Sequence, residues 1–134
     1  MDPTAGVRVI LMDKNRKILF HKRKNSKYAN EKWCLPGGKI NTFQKAFVAC
    51  KKEIKEETNL DISDVEFLFY NDGLPIEGQT DRHFLELYFT AKFSGKIKIN
   101  EESSDFKWMK PGEMSKFDVA FNHDKIIKEF LILR

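Results

Sequence analysis

Cysteine is scarce in this chain of 134 residues, which carries only Cys34 and Cys50. Their spacing fits no zinc motif, so a structural zinc site is excluded. Cys50 falls on the apolar side of a helical pattern. Both cysteines read as buried thiols of a reducing compartment, with a disulfide as the weaker alternative. The sequence has no apolar run of about 18 residues and no signal-peptide pattern. That excludes a transmembrane helix and predicts a cytosolic protein. Internal repeats, low-complexity tracts and linkers are also missing, which leaves a single domain over residues 1–134.

What is present suits a soluble globular fold: 41% hydrophobic and 33% charged residues, with twelve Phe spread along the chain. A chain of this length can build a core without disulfide or metal staples, and the spread of Phe suggests that the core is built on sheet. The net charge of +4 is uneven, because residues 14 to 32 hold eight Lys or Arg and a single Glu. Such a block is often no more than a solvated loop. Beside an acidic helix it would also suit a polyphosphate substrate that carries Mg²⁺.

Hydrophobic alternation predicts strands at 7–12, 17–22, 33–35, 65–70, 83–93, 96–99 and 106–109. A hairpin turn is expected at 13–16. A loop at 71–81 containing Pro75 and Gly78 is a candidate lip of a pocket. Residues 100–105 should be a polar loop and 110–117 a connection. The spacing Phe43, Ala46, Phe47, Cys50, Ile54 predicts an amphipathic helix over 42–58, capped by Asn41 or Thr42 and closed by Asn59. A second helix should begin at Val119 or Asn122 and bury Ile126, Ile127, Phe130 and Leu131. Strands with one central and one terminal helix make the fold class α/β, with a mixed sheet and helices on both faces.

The first helix carries Glu53, Glu56 and Glu57 at i, i+3 and i+4, on one face at the edge of the apolar stripe. Like charges so placed repel. Spacing alone allows a plain solvated face with a Lys52–Glu56 ion pair. It also allows a hard divalent cation, which takes oxygen ligands and is commonly shared with substrate phosphates. Just before the helix, Pro36, Gly37 and Gly38 force a tight turn. The two glycines let backbone amides approach a phosphate closely, and Lys39 could add charge there.

Taken together, Trp33-Cys34-Leu35-Pro36-Gly37-Gly38 and the register of Gly38, Glu53, Ile54, Glu56, Glu57 and Leu60 resemble the Nudix box. Three positions depart from it: Gln44 stands for Glu, Lys52 for Arg and Asn59 for Gly. Asn59 suits a left-handed cap. Lys52 keeps the charge without the planar fork of Arg. The resemblance implies an α/β/α sandwich and a Mg²⁺ ion, or Mn²⁺ in its place, held by Gly38, Glu53, Glu56 and Glu57. It also implies a Glu from the 101–102 region, with Glu53 or Glu102 the candidate general base. Arg23 and the 28–33 approach look most like MutT-type nucleotide-pool enzymes. There Arg23 would meet the nucleotide, although it could equally pair with a surface carboxylate. Asn122 could read a purine edge or simply cap the last helix. His83 could touch a ligand, and Trp108 reads as core packing.

The resemblance thus implies a Mg-dependent pyrophosphohydrolase that cleaves a nucleoside triphosphate, such as the oxidised purine 8-oxo-dGTP, to a monophosphate and pyrophosphate. Its alternatives are an ADP-ribose or other nucleoside-diphosphate pyrophosphohydrolase, an enzyme acting on an RNA 5′ end through the basic block, and a nucleotide sensor without turnover. A monomer and a homodimer are both compatible with it.

Overall fold

The computed structural model describes residues 2–74 and 83–133 of the chain. Strands β1 (Thr4–Ile10), β2 (Ile18–Arg23), β3 (Trp33–Cys34) and β4 (Gly37–Lys39) precede helix α1 (Ala46–Thr58). Strands β5 (Asp61–Gly73), β6 (Phe84–Ser94) and β7 (Ser103–Met109) follow, then a 3₁₀ helix (Pro111–Lys116) and helix α2 (His123–Ile132). Among the described residues they form a four-stranded sheet in the order β4-β1-β6-β5 and a three-stranded sheet in the order β3-β2-β7. Strands β1 and β6 run parallel and the other pairs antiparallel, so the larger sheet is mixed, as expected. No helix of the described residues is long and apolar enough to cross a membrane.

Alternation along β1 and β2 divides the core between two faces. Val7, Val9 and Leu11 of the first stretch and Leu19 of the second pack with Ala49, Cys50 and Ile54 of α1. Ile10, Ile18 and Phe20 point the other way and pack with Ile126, Ile127 and Phe130 of α2. Because side chains on a strand alternate between faces, these two strands bury both faces and hold a helix against each. Cys34 and Cys50 are buried free thiols.

Several element boundaries differ from those expected. Helix α1 starts at Ala46 rather than 42, because Phe43 adopts a left-handed backbone (φ 64°) that no helix can include. Asn41 and Thr42 are therefore not its caps. Instead the Asn41 N–H donates to the Gln44 side-chain carbonyl at 2.9 Å, and Lys45 occupies the cap position without a side-chain bond. Gln44, a departure from the box, thus closes the turn ahead of the helix. Phe43 lies fully exposed rather than on the buried stripe, and Phe47 is half exposed. Asn59 does close the helix, at φ 68°, with its N–H on the Lys55 carbonyl.

Strand β5 covers 61–73 rather than 65–70, since two register shifts interrupt its pairing with β6 and blur the alternation a reader would look for. Asn71 to Gly73 belong to that strand, and the rest of the expected 71–81 loop after Leu74, with Pro75 and Gly78, lies outside the described residues. Residues 96–99 do not form a strand. Strand β7 begins at Ser103, inside the expected polar loop, and a 3₁₀ helix occupies most of the expected connection at 110–117. Strand β4 was hidden by its glycines. A Cβ on Gly37 would overlap the Val7 carbonyl oxygen and lie 2.9 Å from the Arg8 Cα, so only glycine lets β4 pair with β1.

Candidate active site

Gly37 and Gly38 do not form the tight turn expected of them: the chain bends at Pro36 and both glycines lie in β4, the edge strand beside the acidic face of α1, because their pairing with Val7 and Arg8 extends the backbone. Glu57 is buried, and its Oε2 accepts the Gly37 N–H at 3.2 Å. Burial raises its carboxyl to about 7, against the opposing pull of His21 and Arg8. Glu53, half-buried, lies across from Gly38, where an added Cβ would sit 2.5 Å from the Glu53 carboxylate carbon. Burial first and the neighbouring Glu56 second raise the Glu53 carboxyl. Glu56 points outward, 3.7 Å from the Lys52 ammonium, in the ion pair that spacing alone allowed.

These groups open into a cavity of about 360 Å³ lined by Arg8, His21, Arg23, Lys24, Lys27, Gly37, Gly38, Lys39, Glu53, Glu57, Glu86 and Glu102, among others. The structure therefore brings together Arg23, Gly37, Gly38, Lys39, Glu53, Glu57 and Glu102 of the expected set. Glu102 reaches the wall and Glu101 does not. The Glu102 carbonyl takes the Lys24 N–H at 2.9 Å, which ties the basic loop to the acidic one. The Arg23 Nε donates to the Tyr28 carbonyl at 3.0 Å, and its guanidinium stacks on the Phe121 ring at 5.1 Å. It is thus held on the cavity wall rather than paired with a surface carboxylate.

Asn122 does not line this cavity. It lies on a second one of about 380 Å³, with Phe121, Ala120, Asn71 and Leu74. It takes the cap position of α2 in a left-handed conformation (φ 58°) and makes no side-chain cap bond. Glu86 lines both cavities. His83 lines neither, and Trp108 stacks on Phe93 at 5.3 Å in the core.

Sequence reasoning missed Arg8, His21, Glu86 and His123. Arg8 and Glu86 form a buried ion pair at 3.1 Å. Burial alone would raise the Glu86 carboxyl, but His123 and Arg8 outweigh it and hold the group at about 2. Burial likewise works against the Arg8 charge, and Glu86, together with Cys34, Tyr88 and Glu57, more than restores it. The signal available was Arg8 between Val7 and Val9 and Glu86 between Leu85 and Leu87, charges set within apolar stretches of two strands, a pattern that favours pairing when both are buried. His21 is buried, with Nδ1 2.7 Å from the Ser103 hydroxyl and Nε2 3.2 Å from the Cys34 sulfur and 3.6 Å from Glu57 Oε2. Its burial lowers its pKa against the pull of Glu57.

Among the described residues no three Asp, Glu, His or Cys groups converge into a closed metal cage. Mg²⁺ does not require one. It keeps most of its waters and is commonly held by one or two carboxylates together with substrate phosphates. Two raised carboxylates, Glu53 and Glu57, beside a strand whose Gly38 leaves no Cβ in the way fit such an ion.

The NUDIX domain model matches residues 2–130. An ADP-ribose pyrophosphatase of Methanocaldococcus jannaschii is 31% identical, over 90% of this chain and 69% of its own length. The nucleoside triphosphatase NudI of Salmonella paratyphi B is 29% identical, over 74% of this chain and 77% of its own. Among solved structures, the MutT protein from Methanosarcina mazei superposes with a TM-score of 0.82 at 18% identity, covering 96% of this chain and 94% of that one. The NUDIX domain of Shewanella oneidensis NrtR, solved with ADP ribose, does so with a TM-score of 0.79 at 19% identity, over 96% and 86%. At these identities the two structures speak to fold.

Proposed function

This chain belongs to the Nudix family, and from that premise we propose that it is a Mg²⁺-dependent pyrophosphohydrolase, one domain over 1–134, that cleaves a nucleoside triphosphate to a monophosphate and pyrophosphate in the cytosol. The observation that carries this reading is one cavity whose lining holds Glu53, Glu57 and Glu102 together with Arg23, Lys24, Lys27 and Lys39, beside Gly37 and Gly38. Carboxylates and cations lining one cavity are what a metal-bound polyphosphate requires.

Glu53, Glu57 and the Gly38 backbone carbonyl would hold the metal, with Glu56 the outer member of the set. When bound, Mg²⁺ neutralises phosphoryl charge and makes a coordinated water more acidic. The chain's own groups do the rest. Arg23, Lys24, Lys27 and Lys39 offset charge on the phosphates and orient them. Glu53 or Glu102 takes the proton of the attacking water, and burial, with Glu56 beside it, raises the Glu53 carboxyl, which makes that carboxylate a stronger base. The Gly37 N–H, bound to Glu57, keeps that carboxylate aimed inward. Asn122, whose amide is not spent on capping α2, would meet the donor and acceptor edge of a purine such as that of 8-oxo-dGTP from the second cavity.

Incubation with Mg²⁺ and dGTP, 8-oxo-dGTP, CTP, ADP-ribose and a 5′-triphosphate RNA, with products separated by chromatography, tests the reading. Monophosphate and pyrophosphate, formed fastest from 8-oxo-dGTP, are expected. A second reading, ADP-ribose hydrolysis, is favoured by the second cavity beside the first and by the archaeal relative. AMP from ADP-ribose alone would establish it and displace the first, and no product from any compound would sink both.

A further inference from the structure

Three successive hydrogen bonds stitch residues 118–123 to Trp33–Leu35. The Trp33 N–H donates to the Asp118 carbonyl at 2.9 Å, the Ala120 N–H to the Trp33 carbonyl at 2.8 Å, and the Leu35 N–H to His123 Nδ1 at 3.0 Å. The first two are rungs of a short parallel bridge between Trp33 and Val119. The chain then turns into α2, so the third acceptor is an imidazole instead of a backbone carbonyl. The Leu35 carbonyl is taken from the other side by Arg8 Nη1 at 2.8 Å. Both backbone polar groups of Leu35 therefore end on side chains, and His123 itself is fully buried. Two residues further on, Gly37 donates to Glu57.

We propose that His123 is a positioning residue that couples the second cavity, where Phe121 and Asn122 sit, to the strand that aims Gly37 at Glu57. It rests on the reading above, with phosphates in the first cavity and the base in the second. A base seated against Asn122 bears on the residue directly before His123. Any shift of the first turn of α2 is passed to Leu35 through this bond, whose donor is backbone and whose acceptor is a buried ring. Nδ1 is the acceptor, so the ring is neutral with its proton on Nε2, which points at Glu86 Oε2 3.9 Å away. Burial lowers the imidazole pKa to about 4, which keeps the acceptor available at neutral pH.

The test compares kcat for GTP with kcat for ribose 5′-triphosphate, which has the same phosphates and no base. Wild type should turn over GTP about tenfold faster or more, a coupling in the range usual between linked sites. His123→Phe, which keeps the ring volume and removes the acceptor, should bring that ratio close to one. His123→Asn, which restores an acceptor, should recover most of it. A wild-type ratio near one, or a ratio unchanged in His123→Phe, overturns the proposal and leaves His123 a structural residue that moves only the melting temperature. If wild type hydrolyses neither compound, the proposed function fails separately. In that case, or if His123→Phe does not fold, NMR of the ¹⁵N-labelled wild type with GMP decides. GMP must shift the Asn122 side-chain amide together with His123 Nδ1 and the Leu35 and Gly37 amides. Movement of Asn122 alone, or of none of them, overturns the coupling.

Discussion

Adjacent glycines in β4 have different neighbours, and the difference predicts different losses. A Cβ at Gly37 meets backbone, the Val7 carbonyl and the Arg8 Cα, which cannot yield without breaking the β1–β4 pairing. Gly37→Ala should therefore lose about 3 kcal/mol of stability or more, measured by urea denaturation. A Cβ at Gly38 meets only the far end of the Glu53 side chain, which can swing aside. Gly38→Ala should stay within about 1 kcal/mol of wild type and lose turnover by about tenfold or more, because the carboxylate it displaces is one proposed to hold the metal. Glu57 carries a related prediction. Its folded pKa of about 7 lies above the ordinary value of 4.5, so ionisation works against the fold as pH rises through that interval. At pH 8 with EDTA present, Glu57→Gln should unfold at a temperature no lower than wild type. With Mg²⁺ it should lose turnover by about 100-fold or more. Surviving turnover would remove Glu57 from the metal set.

At the scale of elements, α1 was legible and the strands around it only in part. The acidic spacing Glu53, Glu56, Glu57 and the Asn59 terminator report local geometry, which sequence carries directly. Phe43 misled because an apolar residue at helical spacing cannot be told from an exposed one in a left-handed turn without its backbone. Strand β4 was unreadable because Gly37 and Gly38 are selected by what lies across from them rather than by strand propensity. The Arg8–Glu86–His123 cluster joins residues from β1, β6 and α2 that are far apart in the chain. No local pattern marks it, yet it sets the acid sensitivity of α2. His123 has a folded pKa of about 4 against 6.5 unfolded, so the unfolded chain binds its proton first. Stability from His123 is whole above about pH 6.5 and is lost as pH falls toward 4. Glu86, held at about 2 against 4.5, loses its share between 4.5 and 2. Glu57 slopes the opposite way between 4.5 and 7 in metal-free protein, so the variant difference is the clean measure. The stability gap between wild type and His123→Asn, followed by urea denaturation, should shrink by about 2–3 kcal/mol between pH 7 and pH 4. A gap that is constant with pH would mean the imidazole is not held neutral.

Across the whole molecule, the charge asymmetry read from the sequence separates into two parts once folded. Arg23, Lys24 and Lys27 border the first cavity, whereas Lys14, Arg16 and Lys17 lie at or beside the turn between β1 and β2, away from it. The basic block is therefore not one arm. Arg23, Lys24 and Lys27 share the first cavity's lining with Glu53 and Glu102, whereas Lys32 pairs with Asp118 and lines the second cavity. Only charges that face the phosphates should contribute to substrate capture, and their contribution should fade as salt shortens the reach of the field. Lys24→Ala combined with Lys27→Ala should raise KM for a nucleoside triphosphate by about tenfold at low ionic strength, with the gap closing toward about twofold at 0.5 M salt. Lys14→Ala combined with Arg16→Ala removes the same formal charge and should leave KM within about twofold at either salt, since those groups act on the substrate only through distant, screened field. Steady-state kinetics of both pairs at two salt concentrations separates local capture from net charge. Equal effects from the two pairs would show that the protein attracts its substrate by overall charge, and that the cations lining the cavity have no special part in holding the phosphates.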